Sequence, residues 1–299
     1  MAKLVECIPN FSNGRDKEVV DGLVEVAKSV NGVTLLDYSS DPSHNRSVFT
    51  LVGDVDGVQE VAFQLAKYAR DHIDMNKHEG EHPRMGAMDV CPFVPIKEVT
   101  MEECVEISKK VAQRLWEELE IPSFLYEESA SAPYRKNLAK VRKGQFEGMP
   151  EKLKEEEWAP DYGERKIHPT FGICAIGARM PLVAFNVNLD TDNLDIAKKI
   201  AKIIRQSGGG WRSCKGIGVM LEDRNIAQVS MNMVNFEDTP LYRTFETIRF
   251  EAARYGVNII GSEIIGLAPA KALVDTAEYY LKVEDFDYNE QVLENYLLN

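Results

Sequence analysis

The sequence has little of what marks a membrane protein, a secreted protein or a nucleic-acid-binding protein. No run approaches the roughly 18 apolar residues of a membrane span, and the first residues contain no apolar segment typical of a signal peptide. The net charge of −13 disfavours general nucleic-acid binding, because such binding needs clustered Lys and Arg to displace counterions from phosphates. We therefore predict a cytoplasmic protein that has neither a membrane nor a nucleic acid as its partner.

The cysteines also exclude two classes of protein. The chain has 5 of them, widely spaced and without a Cys-x-x-Cys pair. This pattern argues against a disulfide framework and against a thiolate zinc site, so we expect reduced and mostly buried thiols. Hydrophobic residues make up 44% and charged residues 28% of the chain, as in ordinary folded proteins. The length of 299 residues suits either two compact domains or one large domain built of two similar halves.

Strand and helix patterns follow the same order in both halves. In the first half, strand patterns cover residues 3–9, 32–38, 46–53, 88–96 and 122–126, and helical spacing covers residues 19–30 and 58–65. Thr100 and Glu103 form the pattern of a capping box for a helix through Leu115. In the second half, strand patterns cover residues 182–187, 216–221, 226–233 and 257–265, and helical patterns cover residues 196–204, 239–255 and 269–281.

Each half therefore reads as β-α-β-β-α-β. We predict an α/β (α+β) fold of two ferredoxin-like subdomains with a cleft between them, and we expect the active site in that cleft. The first subdomain, including a linker, covers residues 1–179, and the second covers residues 180–299. For the helix at 239–255, Thr239 or Asp238 is the predicted N-cap and Gly256 the residue just past its end.

The segment from about residue 130 to residue 172 is polar. Its basic residues are uninterrupted by acidic ones: Arg135, Lys136, Lys140, Arg142 and Lys143. We interpret most of these charges as the surface of a solvated helix and linker.

Histidines are crowded in one stretch. Three of the 5 lie within eleven residues: His72, His78 and His82. Their spacing is not His-Glu-x-x-His, and Gly80 and Pro83 disfavour a shared helical face, so we predict no metal site. A loop histidine between a helix and a strand suits proton transfer, because imidazole titrates near neutrality. A structural or surface histidine is the alternative for each of the three.

Arg84 shifts this balance towards catalysis at His82. A guanidinium can hold a carboxylate and keep a neighbouring imidazole neutral, ready to accept a proton. Other polar clusters lie at residues 10–12, 37–46 and 208–212. The last is Gly-rich but matches neither a P-loop nor a dinucleotide fingerprint, so a mobile surface loop is its alternative.

Several long stretches resemble the glutamate formiminotransferase family. In the first half they are residues 5–12 (VECIPNFS), 45–53 (NRSVFTLVG) and 80–95 (GEHPRMGAMDVCPFVP). The likeness continues at residues 153–163, 177–179, 184–188, 225–232 and 261–267, so it covers nearly the whole chain. Long stretches in the right order are far more specific than one short motif.

The resemblance implies an enzyme of histidine degradation. It would transfer the formimino group from N-formimino-L-glutamate to tetrahydrofolate, its co-substrate, with His82 as general acid and base near its ordinary pKa of about 6.5. Two α/β subdomains with a folate-binding tunnel between them are implied as well.

The resemblance also places the other site residues. The folate-binding stretch corresponds to Gly163, Glu164, Arg165, Lys166, Ile167, His168, Pro169, Thr170, Phe171 and Gly172. Compared with the family, the middle of this stretch carries additional charged residues, and Phe171 stands where an indole is usual. Contacts of its backbone with folate should therefore be kept better than contacts of its side chains. Arg46, Arg84 and Arg179 are candidates to bind substrate carboxylates and the glutamyl tail of folate. Asp37 is a candidate to bind the pterin or to orient His82.

The expected partners follow from the same resemblance. The family forms homodimers, and several animal relatives are fused to a cyclodeaminase, for which we expect no room before Asn299; a separate cyclodeaminase would then use the product. Two alternatives stay open. The donor is formiminoglycine in one, and in the other the protein binds folate without catalysis.

Overall fold

The computed structural model describes residues 3–297. The chain forms two compact units, Met1–Arg179 and Met180–Asn299. No helix within the described residues is long and apolar enough to cross a membrane.

The first unit contains a seven-stranded sheet. Its strands are β1 (Leu4–Cys7), β2 (Asn10–Phe11), β3 (Val33–Asp41), β4 (Arg46–Gly53), β5 (Met88–Lys97), β6 (Ser123–Glu127) and β7 (Cys174–Ala178). Its α-helices are α1 (Lys17–Ser29), α2 (Val55–His72), α3 (Met101–Leu119), α4 (Leu138–Val141) and α5 (Gln145–Lys152). The helices and strands predicted in this half are confirmed, whereas β2, β7, α4 and α5 were not predicted.

Strand pairing in the first unit follows the ferredoxin-like order. β1 lies between β5 and β4, and β3 pairs with the outer side of β4, all antiparallel. Counted along the β-α-β-β-α-β repeat, this order is fourth, first, third, second. β7 adds to β5 in parallel and β6 adds to β7, which extends the sheet beyond the repeat.

Helices α1, α2 and α3 cover one face of this sheet with their apolar sides. The predicted capping box starts α3: the Glu103 N–H donates to Thr100 Oγ1 at 3.2 Å, and the Thr100 N–H donates to the Glu103 carboxylate at 2.9 Å. The core between helices and sheet includes the fully buried Leu23, Phe49 and Leu65. Burial of such side chains contributes about 1.5–3 kcal/mol each, so this face anchors the unit.

The segment predicted as a solvated linker folds onto the opposite face of the sheet. Val141, Met149 and Leu153 are fully buried there beside Phe124. The prediction is right for the exposed Lys136, Lys140 and Lys143 and wrong for Arg135 and Arg142. Arg135 is 5% exposed and pairs with Asp161 at 2.7 Å, while Arg142 pairs with Asp89. Arginine can be buried in this way because its charge is matched by a carboxylate with good geometry.

The second unit repeats the fold in simpler form. Its strands are β8 (Val183–Leu189), β9 (Cys214–Leu221), β10 (Ile226–Met233) and β11 (Ile259–Ile265). Its α-helices are α6 (Leu194–Ile204), α7 (Leu241–Ala253), α8 (Ala270–Leu281), α9 (Tyr288–Gln291) and α10 (Glu294–Leu297). The sheet order is β11-β8-β10-β9, again fourth, first, third, second. The predicted fold class of two ferredoxin-like subdomains is therefore confirmed.

The predicted cap of α7 is wrong. The helix follows Pro240, and neither Thr239 nor Asp238 caps it. Thr239 Oγ1 donates instead to the Arg212 carbonyl at 2.6 Å, and the Asp238 carboxylate accepts from Ser213 Oγ at 2.7 Å. Both side chains therefore bond to residues distant in sequence and do not cap α7.

Candidate functional site

His82 lies in the loop of residues 73–87 between α2 and β5. Asn45, in the turn between β3 and β4, has a left-handed backbone conformation (φ 48°), which Asn tolerates. Its side chain holds the His82 loop in place. Its Oδ1 accepts N–H groups of Gly14 at 3.0 Å and Arg15 at 3.2 Å, and its Nδ2 donates to the Glu79 carbonyl at 2.9 Å. Three chain segments are thereby held together next to His82.

Arg84 is fully engaged within the protein. Its two Nη atoms donate to the Glu147 carboxylate at 2.6 and 2.8 Å, and its Nε donates to His78 Nδ1 at 3.0 Å. His78 Nε2 consequently carries the proton that is donated to the Asn45 carbonyl at 3.0 Å. Burial, and then the Arg84 charge, lower the pKa of His78. Arg84 thus orders the loop through His78 and has no donor left for a substrate carboxylate in this arrangement.

His82 and Arg46 line one narrow pocket of the first unit. The other lining residues are Asn10, Phe11, Ser12, His44, Asn45, Arg84 and Asp89. Arg46 Nε donates to Asn10 Oδ1 at 3.1 Å, and its Nη2 also contacts that oxygen. No carboxylate forms a salt bridge with Arg46 within the described part of the chain. Burial, reinforced by the Arg142 charge, lowers the pKa of Arg46 to about 10. The guanidinium is therefore a desolvated cation without a salt bridge, whose charge the more distant carboxylates of Asp89 and Asp41 offset only in part.

A β-bulge places Asp89 at the base of this pocket. Asn10 pairs with Val90 and Phe11 with Met88, so Asp89 has no partner across β2. Bulges re-aim side chains and are common next to functional sites. The Asp89 carboxylate, 2% exposed, accepts the Met85 N–H at 2.9 Å and binds Arg142 Nη2. This pair joins the His82 loop to the segment before α5.

The surroundings of His82 keep its ring neutral. Its side chain is half-buried, and burial is the largest cause that lowers its pKa to about 3, followed by the charges of Arg46 and Arg142. The pKa of His82 therefore lies below the ordinary value of about 6.5 that was expected from the sequence. At neutral pH the imidazole has a free lone pair and can accept a proton. The His44 ring stands 6.3 Å away, centroid to centroid.

The stretch from Gly163 to Gly172 forms a tight loop outside this pocket. Its end closes where the His168 and Gly172 backbones exchange two hydrogen bonds of 2.9 Å, and His168 Nδ1 accepts the Phe171 N–H at 3.1 Å. Phe171 is fully buried, and its carbonyl accepts the Ala87 N–H at 2.8 Å, five residues after His82. The far part is solvent-exposed: Glu164, Arg165 and Lys166, with Glu164 and Lys166 paired at 2.7 Å.

The remaining candidates lie elsewhere on the first unit. Asp37 is exposed on β3, opposite Thr50, and does not line the pocket. Arg179 follows β7, where its charge opposes the burial that raises the pKa of Glu6. Among residues 3–297, no three His, Cys, Asp or Glu side chains converge as metal ligands would.

Sequence reasoning missed two residues of the pocket region. Asp89 was hidden inside a strand pattern, and Arg142 was assigned to the solvated linker. The interruption of an apolar strand by one carboxylate is the signal that could have indicated the bulge at Asp89. No local signal identified Arg142, because its burial depends on a partner 53 residues away.

Comparison with known proteins gives a consistent result over the whole chain. The family description "Formiminotransferase domain, N-terminal subdomain" matches residues 4–179, and "Formiminotransferase domain" matches residues 184–295. A glutamate formimidoyltransferase of Streptococcus pyogenes serotype M1 is 77% identical, with 100% of both chains covered. One of Thermoplasma acidophilum is 48% identical over 95% of this chain and 94% of its own. The formimidoyltransferase-cyclodeaminase of Mus musculus is 46% identical over 95% of this chain, which covers 53% of that protein.

Proposed function

The chain belongs to the formiminotransferase family, and we propose that it transfers the formimino group of N-formimino-L-glutamate to tetrahydrofolate with His82 moving the protons. The products are 5-formimino-tetrahydrofolate and L-glutamate. The supporting observation is that a neutral histidine and an arginine that forms no salt bridge share one pocket. That combination suits a proton transfer on a substrate that carries carboxylates.

The reaction requires one proton to change nitrogen. N5 of tetrahydrofolate attacks the formimino carbon and forms a tetrahedral intermediate with three nitrogens on that carbon. His82 accepts the proton from N5 and donates it to the glutamate nitrogen, whose bond to carbon then breaks. A group whose pKa is held low by burial releases this proton readily. General acid and base catalysis of this kind contributes about 10²–10⁴-fold in rate.

Arg46 is the arginine best suited to bind the donor. Arg84 is saturated by Glu147 and His78, whereas the Arg46 guanidinium holds only a neutral amide. A substrate carboxylate beside Arg46 would also offset the positive charge that lowers the pKa of His82, so donor binding would strengthen the base.

Further expectations complete the proposal. The loop of residues 163–172 contacts folate mainly through its backbone, since its buried Phe171 and closed turn fix its course. We also propose a cytoplasmic homodimer: all five cysteines are buried free thiols, as expected in a reducing compartment. A separate cyclodeaminase would receive the product.

The direct test supplies tetrahydrofolate together with either formiminoglutamate or formiminoglycine. After acidification, the absorbance of methenyl-tetrahydrofolate reports the formimino product. We expect a signal with formiminoglutamate. A signal with formiminoglycine alone would assign a different donor, and silence with both despite folate binding would make this a folate-binding protein without turnover.

A further inference from the structure

The turn between β3 and β4 carries a carboxylate that is paired with a histidine. Asp41 Oδ2 lies 2.6 Å from His44 Nδ1, and Asp41 Oδ1 accepts the backbone N–H groups of Ser43 at 2.8 Å and His44 at 2.9 Å. The bond from the His44 N–H is the largest cause that lowers the pKa of Asp41, and the His44 ring lowers it further. Asp41 is therefore an anion at neutral pH, and its bonds fix the direction of the His44 ring.

The pairing decides which nitrogen of His44 carries the proton. An ionised carboxylate can only accept, so Nδ1 is the donor and Nε2 of the neutral ring keeps a free lone pair. Nε2 forms no hydrogen bond with any of residues 3–297. His44 lines the same pocket as His82, and the centres of the two rings are 6.3 Å apart. The pair thus offers one hydrogen-bond acceptor, supported by a negative charge, beside the histidine that moves protons.

The charge of Asp41 differs from most of the charge around it. After burial, the charges of Arg46 and Arg142 are the largest causes that lower the pKa of His82. The nearby Asp89 already pairs with Arg142. Asp41, in contrast, stands opposite Arg46 in the register of β3 and β4, so an anion and a cation are neighbours at the edge of the pocket. A ligand that fits this edge carries a cation next to a carboxylate.

We propose that the Asp41–His44 pair binds the formimino group of the donor through His44 Nε2. A formimino group on an amino-acid nitrogen is an amidine, which is protonated at neutral pH, so its terminal nitrogen can only donate hydrogen bonds. His44 Nε2 accepts such a bond, and the Asp41 carboxylate stabilises the positive charge. The α-carboxylate of the donor is attached to the same Cα as the amidine and suits the neighbouring Arg46. The proposal names a contact of the donor and so rests on the proposed function.

The contact would act by positioning and by selection. A bond from Nε2 to the terminal nitrogen stops the formimino group from rotating and holds its carbon in one orientation for attack by N5. His44 neither gains nor loses a proton in this role, and His82 remains the group that moves the proton. A donor with a carbonyl oxygen in place of the nitrogen would present an acceptor to the Nε2 lone pair and would lose the bond.

N-Formyl-L-glutamate separates this contact from the rest of the donor site. It keeps both carboxylates of formiminoglutamate, but a neutral carbonyl oxygen replaces the protonated nitrogen. Isothermal titration without tetrahydrofolate measures the Kd of both compounds, so no transfer takes place during the measurement. In His44→Phe, which keeps a ring but no acceptor, the Kd for formiminoglutamate should rise about 5–50-fold, because a charge-assisted hydrogen bond is lost. The Kd for N-formyl-L-glutamate should stay within about twofold of wild type.

Three further variants serve as rescue, comparison and control. His44→Gln supplies an acceptor oxygen and should recover part of the affinity for formiminoglutamate. Asp41→Asn removes the charge and keeps the size, so it should weaken formiminoglutamate binding in the same direction, by less than His44→Phe. His72→Phe makes the same replacement at an exposed histidine of α2 outside the pocket and should bind both compounds like wild type.

The two compounds also define the outcomes against the proposal. An equal loss of affinity for both in His44→Phe would overturn it, because His44 would then only shape the pocket. Unchanged affinity for formiminoglutamate would overturn it as well. Failure of the proposed function is a different result: wild type would transfer nothing to tetrahydrofolate, whereas the binding comparison does not depend on transfer.

Discussion

The two units share a strand order but present different chemistry. In the first unit, the charged Arg46 and Asp89 and the neutral His82 line one pocket beside a loop and a β-bulge. In the second unit, neutral carboxamides stand in the middle of two strands, with a single carboxylate at the edge. The same topology thus holds charged side chains beside loops in one unit and neutral carboxamides on strands in the other.

This difference has an energetic basis. Charges are costly to bury, and loops allow each charge to be met from several directions, as Asp89 is by the Met85 N–H and Arg142. Carboxamides lose less hydration on burial and match their neighbours at strand spacing, so regular strands can hold them. We therefore expect substitutions around His82 to affect both proton transfer and stability.

Replacement of His82 should have the largest effect of all the substitutions, and the effect should be on kcat. For His82→Gln we expect kcat to fall about 10²–10⁴-fold, because Gln cannot carry a proton between the two nitrogens. The Kd for 5-formyltetrahydrofolate, measured by isothermal titration, should stay within about threefold of wild type. A change of that size is smaller than the ~1.4 kcal/mol of binding free energy that a tenfold change represents.

The control for this variant is His72→Gln at the end of α2. That exposed histidine contacts the Tyr68 carbonyl and lies outside the pocket, so kcat should be unchanged. Near-normal kcat in His82→Gln would remove His82 from its role in proton transfer.

The ion pair between Arg142 and Asp89 should also stabilise the folded protein. Arg142→Met leaves the Asp89 carboxylate, 2% exposed, without its cation, and removing one member of a buried pair costs about 3–5 kcal/mol. Urea unfolding measures the loss. The matched control, Lys143→Met, removes the same charge from an exposed neighbour and should change the free energy of unfolding by less than about 0.5 kcal/mol.

A double substitution separates the pair from other effects of Arg142. Adding Asp89→Asn to Arg142→Met removes the stranded charge and should recover part of the stability. If the double variant is as unstable as the two single losses summed, the ion pair is not what Arg142 contributes.

The fold was largely predictable because most of its signals are local. The capping box at Thr100 and the alternation along β4 need only neighbouring residues to form. β7 escaped prediction, since its five fully buried residues show no alternation and its pairing with β5 joins distant segments. The α7 cap failed for the same physical reason, because Thr239 has a better partner in Arg212, which is distant in sequence.

The site was predictable only in part. His82 and Arg46 were identified by residue type and by resemblance, and both line the pocket. The sequence did not indicate that Arg84 is occupied by Glu147 or that burial lowers the pKa of His82 so far, because both depend on tertiary contacts. The burial of Asn186, Asn188 and Gln228 was not predicted either, since Asn and Gln in alternating strands look like ordinary solvent-facing residues.

Glycine substitutions should sharpen the contrast between loop and strand. Gly172 has φ +85°, and a Cβ there would lie 2.3 Å from the Met85 carbonyl oxygen. We expect Gly172→Ala to lower the free energy of unfolding by about 1–3 kcal/mol, measured by urea titration. Gly261→Ala, on β11 opposite Asn188, would meet only Asn188 Nδ2 at 3.9 Å and should leave stability within about 1 kcal/mol of wild type. Equal losses at both positions would contradict a strained loop in the first unit alone.

The smallest expected effect concerns the pH dependence of the first site. Arg46 is one of the charges that lower the pKa of His82 to about 3, so Arg46→Gln should raise that pKa. As pH falls, His82 would then be protonated earlier in the variant and lost as a base. The ratio of kcat/KM between variant and wild type should therefore fall at acidic pH, by up to about tenfold for one unit of pKa. Taking the ratio at each pH cancels the titration of the substrates.

Arg224→Gln is the matched control for this profile, because it removes an exposed charge from the turn between β9 and β10 in the second unit. Its ratio to wild type should be flat with pH, since surface charges outside the pocket are screened by solvent. A flat ratio for Arg46→Gln as well would mean that burial and the other charges, such as that of Arg142, set the pKa of His82 without Arg46. Arg46 would then act only through its contact with the substrate, and the charged character of the first site would matter for binding and not for proton transfer.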